Sequence, residues 1–206
     1  MVITIARSYG SGGRTLGKKL AVDLGINYYD RELIRIASDE SGINEAMFGE
    51  VDEIVKRKPF FHVSKDAYKG EVFSPDHDQF TSPENLFRYQ AKVIRQLADK
   101  ESCIIIGRCG DYVLQDYDNV VRLFFYASWE NCIRRVIDQQ GVSEKEAKDR
   151  ITKIDKSRAN YYKFFTGHDW YDAHNYDLCM DTAAMEYEKL IRVVKAYLQE
   201  SHEGDW

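Results

Sequence analysis

The sequence predicts one α/β domain, a parallel sheet with helices on both faces. Three observations carry that expectation. Cys103–Ile106 and Val120–Tyr126 are short and apolar throughout, as strands buried on both faces are. Segments of helical periodicity separate such strands along the chain, which is the pattern of crossover connections in a parallel sheet. The opening strand, Val2–Ala6, runs straight into Gly10-Ser11-Gly12-Gly13 and then into an amphipathic helix.

In chain order, the first helix runs from about Gly13 to Leu24 and ends at Gly25, where a C-terminal glycine relieves the left-handed turn. Ile26–Asp30 is a short second strand and Arg31–Ser41 a second helix. Residues 43–57 are helical, with Ile43, Met47, Val51, Ile54 and Val55 on one side. Residues 58–82 change texture: Pro59 and Pro75, the aromatics Phe60, Phe61, Tyr68, Phe73 and Phe80, and His62 and His77 without ligand-like spacing. This segment is either a substrate cover or a partner surface. Ser82-Pro83-Glu84 opens a helix with a serine cap and a proline in the first turn, and it runs to about Lys100. Ser128 caps a helix reaching Gln140, and Ser143 with Glu146 forms a capping box for a long helix to about Phe164. Tyr176–Met180 is the last strand and Ala183–Glu200 the closing helix.

At 206 residues the chain is long enough for one domain with an insertion and a sizeable core. A net charge of −5 argues against general binding of nucleic acid, which wants a basic face. No apolar run approaches a membrane span. Cys103, Cys109, Cys132 and Cys179 are scattered and read as reduced thiols, so neither a metal site nor a disulfide framework is expected. Met1 leads directly into a strand, so a cytoplasmic protein without a leader is expected.

The glycine-rich turn is the first chemical signal. Glycines let successive amides point inward and a phosphate approach closely, and the helix that follows adds its unpaired N–H groups. Strand, small-residue loop, cation, hydroxyl and helix make up a P-loop. Against G-x-x-x-x-G-K-[ST], the best register sets Ser8 at the first glycine, Gly13 at the second, Arg14 at the lysine and Thr15 at the hydroxyl. Lys18, four residues past Arg14, offers a second charge on the same helical face.

Two further constellations complement it. Gly107-Arg108-Cys109-Gly110-Asp111 follows the buried strand Cys103–Ile106, so Arg108 faces the crevice where ligands of open α/β sheets bind. The long helix carries Arg150, Lys153, Ser157 and Arg158 on roughly one face, followed by Tyr161-Tyr162. Such a basic face suits a lid closing over a phosphoryl group.

Taken together, these residues resemble the cytidylate kinase-like family, a branch of the nucleoside monophosphate kinases within the P-loop superfamily. The likeness lies in Ile5-Ala6-Arg7-x-x-Gly10-Ser11-Gly12-Gly13, Tyr28-Tyr29-Asp30-Arg31-Glu32, Ile104-Ile105-Ile106-Gly107-Arg108 with Asp111, Arg150-x-x-x-x-Asp155-x-x-Arg158, and Tyr176-Asp177-Leu178. It implies a P-loop kinase-type parallel sheet flanked by helices, with a helical insertion and a lid helix. The core would span about 1–42, 101–142 and 174–206, the monophosphate-binding insertion about 43–100 and the lid about 143–170.

The implied reaction moves the γ-phosphoryl group of ATP to a nucleoside monophosphate, CMP or dCMP first. Gly10, Ser11, Gly12, Gly13, Arg14 and Thr15, with Lys18, would hold the ATP phosphates. Thr15 and Asp30 would hold Mg²⁺, Arg108 the acceptor phosphate, and Arg150 and Arg158 the β- and γ-phosphates. The chain departs from the family at Arg14, where a lysine stands, and at Ile106, where an acid precedes the Gly-Arg pair. Asp30 or Asp111 then takes the acid's place. A kinase of another small acceptor, or a nucleotide-binding protein of weak turnover, are the alternatives. Partners are nucleotides, with no nucleic acid and no membrane; a homodimer through residues 58–82 is the alternative to a cover.

Overall fold

The computed structural model describes residues 1–57 and 69–201, without the side chains of 52–57. Five parallel strands stand in the order β2-β3-β1-β4-β5. They are β1 (Val2–Arg7), β2 (Asn27–Tyr29), β3 (Cys103–Ile106), β4 (Val120–Tyr126) and β5 (Leu178–Asp181). The helices are α1 (Gly13–Leu24), α2 (Glu32–Ser41), α3 (Glu45–Arg57), α4 (Pro83–Lys100), α5 (Gly110–Val113), α6 (Trp129–Gln140), α7 (Glu144–Thr166) and α8 (Tyr187–Ser201). The central strand β1 pairs Ile3 with Ile104 on one side and Val121 on the other.

Alternate residues of the central strands feed two cores. Ile3, Ile5, Ile104, Ile106, Leu123 and Phe125 pack against Leu16 and Leu20 of α1 and Leu190, Val194 and Leu198 of α8. Val2, Ala6, Cys103, Ile105, Val120 and Phe124 face α2, α3, α4 and the second half of α7. This two-sided burial is why β3 and β4 carry no polar alternation. A third, smaller core joins α6 to the first half of α7 through Cys132, Val136, Ala147 and Ile151.

The caps form as expected. Ser82, Ser128 and Ser143 side chains accept from the amides of Asn85, Asn131 and Glu146, at 3.2, 3.3 and 3.3 Å. Glu146 returns the contact by accepting from the Ser143 amide. Within the insertion, Ile43, Phe48 and Val51 are buried as one face; Ile54, Val55, Pro59, Phe60, Phe61, His62 and Tyr68 lie outside the described side chains.

Several boundaries differ from the sequence reading. The last helix starts at Tyr187 and not at Ala183, because the Ala183 amide is bonded to the Asp181 side chain and the Thr182 amide to the Tyr126 carbonyl. The strand before it opens at Leu178 and not at Tyr176, since the Tyr176 amide is still bonded to the Ala173 carbonyl of a preceding 3₁₀ turn. The short helix α5 and a 3₁₀ turn at Ala173–Asn175 are too brief to leave a periodic trace.

Helix α7 is anchored by aromatic packing. Phe165 is buried and stacks on Phe87 of α4, centroids 4.2 Å apart, and lies 4.6 Å from the ring of Tyr161. Phe165→Ala is expected to lower unfolding free energy by about 3–5 kcal/mol in denaturant titration; a loss below about 1 kcal/mol would show that this stack does not hold the helix.

Candidate active site

The turn after β1 is held from behind and open in front. Gly10 and Gly12 adopt left-handed φ values of 78° and 83°. A Cβ on Gly10 would stand 2.7 Å from the Cys132 carbonyl oxygen, so glycine is required there twice over. Ser11 is wholly buried; its hydroxyl donates to the Ser8 carbonyl at 2.8 Å and accepts from the Gly13 amide. Its carbonyl accepts from Arg135 Nη1 and from the Thr182 hydroxyl. Among the described residues, the amides of Gly10, Gly12, Arg14 and Thr15 find no protein acceptor. They stand at the positive end of α1, an arrangement made for an anion.

Beside the turn, at the C-terminal ends of β1 and β3, lies a cavity of about 430 Å³. Its wall carries five cationic side chains, Arg7, Arg31, Arg108, Lys153 and Arg158, against two carboxylates, Asp30 and Asp111. Tyr161, Tyr162 and Trp170 form its aromatic side. An imbalance of this kind binds anions.

Local backbone explains each placement. Gly107, Arg108 and Cys109 are consecutive left-handed residues, with φ of 69°, 57° and 54°. Two of them pay a steric cost of about 1–2 kcal/mol each. The turn sets the Arg108 guanidinium 5.6 Å from the centre of the Tyr161 ring. A Cβ on Gly107 would lie 2.7 Å from Arg7 Nη1, so the bare glycine lets the Arg7 guanidinium rest on the backbone. Arg7 also lies 3.9 Å from Asp30, whose other oxygen takes Arg14 Nε at 2.6 Å.

Helix α7 clasps the entrance to the turn. Asp155 accepts from the Tyr9 amide at 2.8 Å, and Arg158 Nη1 donates to the Arg7 carbonyl at 2.9 Å. Burial pushes the Arg7 guanidinium down to about 9, with the neighbouring Arg158 adding to the effect and Asp30 only partly opposing it. A guanidinium keeps its proton in a protein, so the crowding expresses an unmet demand for negative charge. Burial likewise pushes the Asp111 carboxyl up to about 6, although the Tyr162 hydroxyl donates to it at 2.6 Å.

The sequence model of the cytidylate kinase-like family matches residues 2–184. The chain belongs to that family. Cytidylate kinases from Methanopyrus kandleri and Methanocorpusculum labreanum are 26% and 24% identical to it, each over 95% of this chain and over 92% and 95% of their own lengths. A crystal structure of an uncharacterized protein from Eubacterium ventriosum superimposes with a TM-score of 0.69 at 26% identity, covering 97% of this chain and 98% of that one. Shikimate kinase from Bacteroides thetaiotaomicron aligns over 97% of this chain and 96% of its own, with a TM-score of 0.51 at 16% identity, a likeness of fold. Family and fold support phosphoryl transfer by a nucleotide kinase.

The structure brings together Asp30, Arg108 and Arg158 with Lys153 and Ser157 of the same basic helix face, and adds Arg7. It leaves others outside the cavity wall. Arg14 points along the rim to Asp30 with half its side chain exposed. Lys18 lies over the Tyr28 ring at 5.7 Å, and Thr15 is exposed on the first turn of α1. Arg150 donates to Gln140 at 2.6 Å. It shares the angular face of Arg158, but eight residues set it about 12 Å further along the axis. Arg7 was the residue missed; the strand-end argument that singles out Arg108 applies to it equally.

The raised Asp111 carboxyl has a stability consequence. Its folded affinity for a proton exceeds the unfolded one, so the native state loses stability as pH rises from about 4 to about 6 and stays lower above that. Asp111→Asn is expected to abolish this loss. Its melting temperature should rise relative to the wild type between pH 4 and 7, by the equivalent of about 2–3 kcal/mol at most; a difference independent of pH would contradict it.

Proposed function

We propose that the protein transfers the γ-phosphoryl group of ATP to a nucleoside monophosphate, with CMP and dCMP preferred. The observation that carries the reading is the cation-rich, aromatic-walled cavity opening beside an amide-lined turn. One ligand with a phosphate and a planar base fits the cavity, and a polyphosphate fits the turn. Gly10–Thr15 would then cradle ATP, Arg108 and Arg158 would hold acceptor and transferring phosphates, and Arg150 and Lys18 would act only if α7 and the rim move inward. Residues 43–100 would form the acceptor side and 143–170 the lid, around a core of the remaining segments.

The base preference has a chemical reason beside the named relatives. An ionised Asp111 can accept from the exocyclic amine of cytosine and repels the carbonyl oxygen that uracil puts in its place. No general base is needed for the transfer. The bond from the γ-phosphorus to the bridging oxygen breaks with its electron pair leaving on ADP. A lone pair of the acceptor's dianionic phosphate oxygen forms the new bond, and that oxygen carries no proton to remove.

Kinases of this family use Mg²⁺ generally, and the residues present fit it in a limited way. Among the described residues no group of three His, Cys, Asp or Glu side chains could hold a metal. Mg²⁺ is commonly bound by one or two carboxylates with phosphate oxygens and waters; Asp30 would give the carboxylate, freed from Arg14, and Thr15 a hydroxyl, with the rest coming from the nucleotide and solvent. When bound, the ion offsets charge on the β- and γ-phosphates.

Incubation with Mg-ATP and CMP, dCMP, UMP, AMP or GMP in turn, with ADP quantified, tests the proposal. ADP is expected with CMP and dCMP at rates at least tenfold above those with UMP. ADP with none of them removes the proposed activity. The Arg14–Asp30 pair favours a second reading, a nucleotide-binding protein of weak turnover, which would show as ATP-dependent thermal stabilisation without ADP.

A further inference from the structure

The kinase pattern asks for a cation at the head of the first helix, and the sequence offers Arg14. The structure points elsewhere. The Arg14 side chain is half exposed, runs along the rim and spends its Nε on Asp30 at 2.6 Å. Gly13, next to it, has no room for any side chain: a Cβ there would stand 2.8 Å from the Cβ of Arg7 and 2.9 Å from that of Phe125. Of the two, the cation that lines the cavity is Arg7. It is the last residue of the strand that feeds the turn, and its guanidinium lines the acceptor cavity. Gly107 is bare where that guanidinium passes. The Arg7 carbonyl accepts from Arg158 of α7.

We propose that Arg7, and not Arg14, is the catalytic cation that binds the phosphoryl group in transit between the donor turn and the acceptor cavity. This rests on the kinase reading above. Arg7 belongs to both places: its backbone opens the donor turn and its side chain faces the acceptor. A planar fork there can bridge an oxygen of the transferring group and one of the acceptor phosphate, which a point charge cannot do. Asp30 Oδ1 lies 3.9 Å from Arg7 Nη2, beyond hydrogen-bond distance, so it attracts the guanidinium without taking up its donors.

The test compares wild type, Arg7→Gln, Arg7→Lys and Arg14→Ala in steady-state kinetics with Mg-ATP and CMP. Arg7→Gln is expected to lower kcat by about 100-fold or more, with KM for ATP changed less than about threefold, the signature of an interaction made in the transition state. Arg7→Lys should recover part of the loss, and Arg14→Ala should lose less than about tenfold. Arg7→Gln with kcat near wild type, or with only KM for ATP changed, overturns the assignment. Should Arg7→Gln fail to fold, wild type labelled with ¹⁵N-arginine decides. The Arg7 Nε resonance, assigned from its absence in Arg7→Lys, should shift when ADP, CMP and aluminium fluoride are added together; an unmoved resonance overturns the proposal. Absence of ADP from the wild type with every monophosphate removes the kinase reading and this role with it. ADP from the wild type, undiminished in Arg7→Gln, removes the role alone.

Discussion

Positive charge gathered where the sheet ends, with too few carboxylates beside it, is the constraint on which this structure depends. Arg7 comes from β1, Arg108 from the turn after β3 and Arg158 from α7, and all three line one cavity with Asp30 and Asp111. Folding brings these charges together only because apolar packing forces it. Ile3, Ile5, Ile104 and Ile106 set the register of β1 against β3, and the stack of Phe165 on Phe87 fixes α7. The hydrophobic layers thus bear the electrostatic cost, which an anion bound there would relieve.

Much of the fold was legible in the sequence because its signals are local. Strands buried on both faces read as unbroken apolar runs, and three serine caps and a capping box name the helix starts. Where the reading slipped, a tertiary contact had intervened. The turn of Asp181–Ala184 is shaped by Thr182 reaching Tyr126, a partner that no window around residue 182 contains. The helix α5 spans four residues and leaves no period to detect.

The site was legible in part, and the same distinction applies. Asp30 and Arg108 follow from lying where short strands end, and Arg158 from the basic face of a helix. Arg150 shares that face in projection, yet rise along the axis carries it past the cavity. Arg7 escaped because a loop pattern points to the position after its glycines, while the Arg7 side chain passes the bare backbone of Gly13, six residues on across the turn. The left-handed backbone of Arg108 and Cys109 is likewise invisible in sequence, since neither is glycine.

The crowding of Gly13 against Arg7 has an evolutionary consequence. A side chain at position 13 would meet the Cβ atoms of Arg7 and Phe125, which every residue but glycine carries. Shortening the side chain at position 7 therefore makes no room at position 13. A lineage can exchange the cation at position 7 freely, while position 13 stays glycine for as long as the strand and the helix keep this approach.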